Sequence, residues 1–338
     1  MINYLLQFGK IKLATHFFFS MTDKARKYCK KIFFTLLLFF LLINLILISQ
    51  AYHLTHFYEH GTVKSAEEQT NSFWHQAQVV LFGLKQEKLN GSAPDSAFKV
   101  VKLKTKDNLI LDAWVIPVPH SKGTIAIFHG NGSEKSANLS QSNTFNEMGY
   151  STLLVDFRAH GKSEGNTCTI GYREAEDVKL AYDYLKNNGE KNIILYGISM
   201  GAATITKAIA DYDLTPEKII LEMPFASLSE TAEGKMRMAR LPAEPLAALL
   251  TFWGGTINGF WAFAMKPKEF VKKIKCPVLL QWGKKDKGVT ENEINELFKD
   301  IPSPKKLVKY ENSGHENLCE NEPDKWEDTV EEFLGVEK

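Results

Sequence analysis

The sequence predicts an α/β fold in which a mostly parallel sheet is flanked by helices and interrupted by a helical insertion, with one apolar helix ahead of it. Three observations carry this expectation. From Phe98 onward, short apolar runs alternate with helical stretches. A Gly-x-Ser-x-Gly stands where one such run meets such a stretch. Residues 32–48 read IFFTLLLFFLLINLILI. The 338 residues are 44% apolar and 24% charged, which fits a globular domain with a sizeable core. The 41 basic residues nearly cancel the 40 acidic ones, so the chain lacks the excess of Lys and Arg that a nucleic-acid partner requires.

The apolar run is broken only by Thr35 and Asn44, and Ala51 and Tyr52 extend it toward the roughly 20 residues a bilayer needs. It has no polar face, unlike a surface helix. Residues 32–52 are therefore expected to form a transmembrane signal anchor. Lys24, Arg26, Lys27, Lys30 and Lys31 precede the run, whereas Glu59, Glu67 and Glu68 follow it against Lys64. By the positive-inside rule, residues 1–31 are cytoplasmic and the rest of the chain is exported. A cleaved signal peptide is the rival, with Ser49 and Ala51 as small residues before a cut, but the apolar core exceeds the roughly 7 to 15 residues usual there. Met21 is a second candidate start. Residues 53–97 read as a polar and aromatic connector, in which Phe73-Trp74-His75 and the run from Val79 to Leu84 suggest packing on the domain or on a membrane.

The main domain is expected over 98–338. Residues 98–105 and 109–116 predict two strands joined at the turn-forming pair Asp107-Asn108. The runs at 123–128, 151–157, 192–196, 218–221, 277–282 and 306–310 are almost wholly apolar, as parallel strands covered on both faces are. Helical patterns fall at about 134–148, 171–187, 200–211, 290–299 and 323–334. A sheet that begins antiparallel and continues parallel follows. Between about 225 and 275 the rhythm breaks, and an aromatic stretch with Phe252, Trp253, Phe260, Trp261 and Phe263 predicts a helical lid. A second membrane span is the alternative, which Pro242, Glu244, Pro245 and the Gly254–Gly259 stretch oppose.

Gly197-Ile198-Ser199-Met200-Gly201 follows the strand ending at Tyr196 and opens a helix. A nucleophile on so tight a turn needs glycines on both flanks, because side chains there would collide with neighbouring backbone. A serine hydroxyl also needs a base, and the base an orienting carboxylate. Asp286 lies just after the strand at 277–282 and His315 just after that at 306–310, so both are expected at the same carboxyl edge as Ser199. The amides of Asn131, in His129-Gly130-Asn131-Gly132, and of Met200 are candidates for an oxyanion hole. His129 and His160 are read as structural loop residues. No phosphate loop or dinucleotide fingerprint is present. Cys29, Cys168, Cys276 and Cys319 form no CxxC pair and no metal-like spacing, so no metal is expected. For an exported domain, a disulfide among the last three stays open.

These blocks, with Asp156-Phe157-Arg158-Ala159-His160-Gly161-Lys162-Ser163-Glu164-Gly165, Trp282-Gly283-Lys284-Lys285-Asp286 and Ser313-Gly314-His315, resemble the α/β-hydrolase superfamily over roughly 98–334. The similarity is closest to its monoglyceride-lipase and serine-aminopeptidase-like branch and to its single-pass membrane-anchored members. The resemblance implies cofactor-free serine hydrolase chemistry on an acyl ester or lipid-like substrate, with Ser199, His315 and Asp286 as triad. Amide or peptide cleavage and acyl transfer by the same triad are the alternatives. A non-catalytic binding scaffold would lack a triad member, and none is missing.

Overall fold

The computed structural model describes residues 22–336. Residues 1–21 of the expected cytoplasmic segment, Met21 among them, lie outside the described residues. Helix α1, Asp23–Thr55, is unbroken, with no Pro or Gly in its interior. Its mean hydropathy over the most apolar window is 2.8, long and apolar enough to cross a membrane or to serve as a signal sequence. Phe33, Phe34, Leu36, Leu38 and Phe39 leave more than half of their surface exposed, as lipid-facing side chains do. After α1 come the short helix α2, Ala66–Thr70, and α3, Phe73–Phe82. The two-residue segments Phe57–Tyr58 and Gln86–Glu87 pair in parallel.

Eight strands form the main sheet: β1 Lys99–Lys104, β2 Ile110–Ile116, β3 Thr124–Phe128, β4 Ser151–Val155, β5 Ile193–Ile198, β6 Lys218–Glu222, β7 Val278–Gly283 and β8 Lys305–Tyr310. Their order is β8-β7-β6-β5-β3-β4-β2-β1. Antiparallel pairing is confined to β1–β2 and β2–β4, and the remaining neighbours are parallel. The apolar runs lie where both faces are covered: Ile125 to Phe128, Leu153 to Val155, Ile219 to Leu221 and Val278 to Leu280 are fully buried. The edges differ. β1 (KVVKLK) and β8 (KKLVKY) alternate with lysine, which keeps exposed backbone from pairing with another chain.

Helices α4 (Leu139–Glu147), α5 (Ala175–Asn187), α6 (Met200–Tyr212), α9 (Glu291–Asp300) and α10 (Pro323–Leu334) flank the sheet. The insertion between β6 and β7 holds α7, Leu228–Met238, and α8, Leu246–Ile257. The apolar stretch does not continue as one span: it turns by 108° after α8, whose Ala247, Leu250, Thr251 and Gly255 are buried. Cys168, Cys276 and Cys319 are free.

Register brings the loops together. Phe128 at the end of β3 faces Val155 of β4 on one side and Gly197 of β5 on the other, and Tyr310 of β8 faces Gly283 of β7. The chain reverses its direction of travel across the sheet at β3, so the loops after β3 and β5 diverge and leave a crevice. Next to it sits a buried charge cluster. Lys135 Nζ pairs with Asp112 at 2.7 Å and with Asp156, over the Trp114 ring at 4.4 Å, and its amide donates to Asp156 Oδ1 at 2.7 Å. Asp156 also accepts the amide of Lys162 at 2.8 Å, so one carboxylate fastens the loops after β3 and β4. Replacing Lys135 with methionine leaves the buried Asp156 without a cation, while Asp112 keeps Lys102 at 2.6 Å. The Lys135→Met variant is expected to lose about 3–5 kcal/mol of stability in denaturant titration, and a loss under 1 kcal/mol would contradict this account of the cluster.

Candidate active site

Ser199 occupies the turn from β5 to α6 at φ 53° and ψ −112°, a conformation that side chains rarely adopt. Its amide donates to the carbonyl of Glu222 in β6 at 2.7 Å. Both glycines are sterically required: a Cβ on Gly197 would lie 2.6 Å from the amide of Ala202, and one on Gly201 2.2 Å from the carbonyl oxygen of Phe128. The hydroxyl is thereby lifted from the strand into a cleft lined by Gly130, Asn131, Met200, Phe225, Val289 and His315.

His315, on the loop after β8, places Nε2 2.8 Å from Ser199 Oγ. Its Nδ1 lies 2.6 Å from Asp286 Oδ2. Asp286 is buried, and its other oxygen accepts the amides of Gly288 at 2.8 Å and Val289 at 2.9 Å. The carboxylate is thus held at both oxygens. An ionised carboxylate accepts only, so Nδ1 carries the proton and Nε2 is the acceptor facing the hydroxyl. The structure therefore brings together the three residues expected from the sequence. Asn131 and Met200 also line this cleft, and among the described residues their amides have no protein acceptor.

The two other histidines near the site are fully committed to backbone. His129 directs Nδ1–H to the carbonyl of Gly130 at 2.7 Å and accepts the amide of Phe157 at 3.1 Å. His160 directs Nδ1–H to the carbonyl of Arg158 at 2.9 Å and accepts the amide of Gly132 at 3.1 Å. Each must be neutral to accept at Nε2. Desolvation pushes His129 down to about 4, and desolvation reinforced by His129 pushes His160 down to about 3. Among the described residues no cluster of His, Cys, Asp or Glu is arranged to hold a metal ion.

Two features escape sequence reasoning. A small apolar chamber of about 40 Å3 adjoins the cleft and shares Ile170, Thr231 and Lys235 with it. Its walls come from Ala51, Leu54 and Thr55 at the end of α1, Leu228 and Ala232 of α7, and Leu250 and Gly254 of α8. No pattern joins residues 51 and 254 in the sequence. The second is Glu222, fully buried below Ser199 with its pKa raised by desolvation to about 7.

Comparison with known proteins bears on the fold. The family model for serine aminopeptidase, S33, matches residues 119–256. The uncharacterized protein YqkD of Bacillus subtilis is 31% identical over 221 residues, covering 64% of this chain and 72% of that protein. The lysophosphatidylserine lipase ABHD12 of Danio rerio is 24% identical over 208 residues, 58% of this chain and 50% of its own. The Pyrococcus furiosus esterase Pf2001 superposes with a TM-score of 0.64 at 26% identity, covering 74% of this chain and 96% of the esterase.

The neutral histidines fix a pH dependence. A histidine with a depressed folded pKa contributes stability that is complete above its unfolded value of about 6.5 and declines as the pH falls below it, because the unfolded chain alone takes up the proton. Glu222, with a raised pKa, acts in the opposite sense. Comparison with a variant therefore isolates the imidazole. Between pH 6.5 and 4, unfolding of His160→Gln should take up about one proton fewer than wild type, read as a shallower slope of unfolding free energy against pH. Parallel slopes would show that the folded protein already protonates His160.

Proposed function

The chain belongs to the α/β-hydrolase superfamily, and we propose that it is a serine hydrolase that cleaves carboxylic esters with an acyl or lipid-like chain. The observation that carries the proposal is the relay Asp286 Oδ2 to His315 Nδ1 and His315 Nε2 to Ser199 Oγ, at 2.6 and 2.8 Å. In the proposed reaction, Ser199 Oγ attacks the acyl carbonyl while His315 Nε2 takes its proton. Asp286 orients the ring and stabilises the imidazolium. The amides of Asn131 and Met200 donate to the oxyanion at the start of α6, where the helix dipole also favours negative charge. Collapse breaks the ester bond, and His315 returns its proton to the departing alcohol. Water then attacks the acyl-enzyme with His315 as base, releasing the acid and restoring the serine.

The apolar lining of the small chamber, which adjoins a cleft of about 590 Å3, supports the choice of an acyl chain. The chamber mouth carries Lys235, whose ammonium is held below the usual lysine range by desolvation, while the rim of the cleft adds Lys285 and Lys287. The esterase and lipase among the similar proteins agree with ester chemistry, and the aminopeptidase family model keeps amide hydrolysis as the second reading. We further propose that α1 is an uncleaved anchor with a cytoplasmic N-terminus and an exported domain, supported by its length and by the lysines that precede the apolar run.

A fluorophosphonate probe is expected to label the wild type and not Ser199→Ala, whose kcat/KM on an active ester should fall by at least about 10⁴-fold. Labelling that survives the substitution means another nucleophile. Matched ester and amide substrates separate the two readings. Chain length is tested at Gly254, where an added Cβ meets nothing within 4 Å. Removing space for two methylenes, at about 0.8 kcal/mol each, predicts that Gly254→Leu lowers the dodecanoate-to-butyrate ratio of kcat/KM about tenfold. An unchanged ratio would place the acyl chain elsewhere.

A further inference from the structure

We propose that α3 is a membrane-surface helix that seats the domain on a lipid bilayer beside the exit of α1, a claim that rests on the membrane reading of α1 given above. In α3, Phe73, Trp74, Ala77, Val80 and Leu81 stand at i, i+1, i+4, i+7 and i+8, which is one helical stripe. On a helix packed against a core, such a stripe turns inward. Here it turns outward: Phe73 is 74% exposed, Trp74 75% and Val80 66%, and α3 buries none of its residues. So continuous an apolar face on a water-borne domain marks a surface that meets something apolar.

The position of α3 names the occupant. Gln50 Nε2 donates to the carbonyls of Val79 at 2.8 Å and Val80 at 2.7 Å, and Ser49 Oγ donates to that of Phe82 at 2.6 Å. These bonds tie the end of α3 to the turn of α1 that lies about 20 residues after Ile32, where a span of one bilayer thickness ends. Aromatic rings concentrate at that depth, and an amphipathic helix there lies in the plane of the interface with its apolar stripe among the acyl chains. A bilayer therefore forms a continuous partner for α1 and α3.

The same turn of α1 also builds the chamber. Ala51, Leu54 and Thr55 are its walls, so a seated α3 holds the chamber at the bilayer surface. The substrate class that follows is an acyl ester resident in the membrane, whose chain reaches the cleft beside the chamber without crossing water.

The test uses the full chain reconstituted in phosphatidylcholine vesicles, with and without brominated acyl chains. The emission of Trp74 is obtained as the difference between wild type and Trp74→Phe. The expected result is a blue-shifted component that loses most of its intensity to bromolipid and is missing from the variant. A water-like, unquenched component would overturn the proposal. So would a blue-shifted component that bromolipid leaves alone, which would assign the stripe to a second copy of the chain or another protein. A nitroxide on Leu81→Cys supplies an independent reading, with collision by oxygen exceeding collision by a water-soluble nickel chelate if the stripe is in lipid, and the reverse if it is not. Neither readout depends on hydrolysis. A wild type that seats α3 in lipid and cleaves no ester would refute the proposed function alone.

Discussion

The geometry around Ser199 depends on one hydrogen bond, from its amide to the carbonyl of Glu222. The turn holds a serine in a backbone region that costs of order 1–3 kcal/mol, and such a turn persists only where its surroundings over-determine it. The glycines at 197 and 201 remove the clashes, while β6 supplies the acceptor. Beneath it, the Glu222 side chain receives Trp326 Nε1 at 2.5 Å from α10 and Gln281 Nε2 at 3.0 Å from β7. Gln281 in turn accepts the hydroxyl of Tyr310, the last residue of β8. The buried acid thus links the strand under the serine to the strand that delivers His315. The separation between hydroxyl and imidazole is set below the site, in the core.

Charge is distributed with similar economy around the crevice. The carboxylate of Asp286 faces Nδ1 of His315, whereas His129 and His160 are kept neutral by burial and act as acceptors for the loops after β3 and β4. Lys135 pairs with Asp112 and Asp156, and Arg158 with Asp177 at 2.6 Å and Glu176 at 3.0 Å. The imidazole of His315 is consequently the one aimed at Ser199, although His129 and His160 also lie close to the crevice.

The sheet was legible in the sequence because strands covered on both faces must be apolar throughout, and runs such as 123–128 and 277–282 carry that mark. The five candidate residues could be placed on loops for a different reason. Each lies on a turn or loop just past the end of a strand, and His315 follows the edge strand β8, so locating the strand places the loop. The β3–β4 crossover helix was less so: its pattern suggested one helix over about 134–148, but the segment begins as a tighter turn, Lys135–Asn138, drawn in by the Lys135 ion pairs before α4 starts. Ion pairs between distant loops leave no periodicity. The chamber is equally silent in the sequence, since Ala51, Leu228 and Leu250 are ordinary apolar residues of three helices until the fold sets them side by side.

The insertion is anchored unevenly. At the end of α8, Asn258 donates to Thr55 Oγ1 at 3.1 Å, and its carbonyl accepts Arg173 at 2.8 Å. Thr55 is further engaged through its carbonyl by the amide of Cys168 at 2.8 Å. The carboxyl end of α8 is therefore fixed to the last turn of α1 and to the body of the domain. The stretch between α7 and α8 has no such attachment at its apolar side chains, where Met238 is 55% exposed and Leu241 49%. A segment opens where the fewest contacts must break. Residues 238–245 are accordingly less tied to the body of the domain than the carboxyl end of α8, which shares its anchor with the wall that α1 contributes to the chamber.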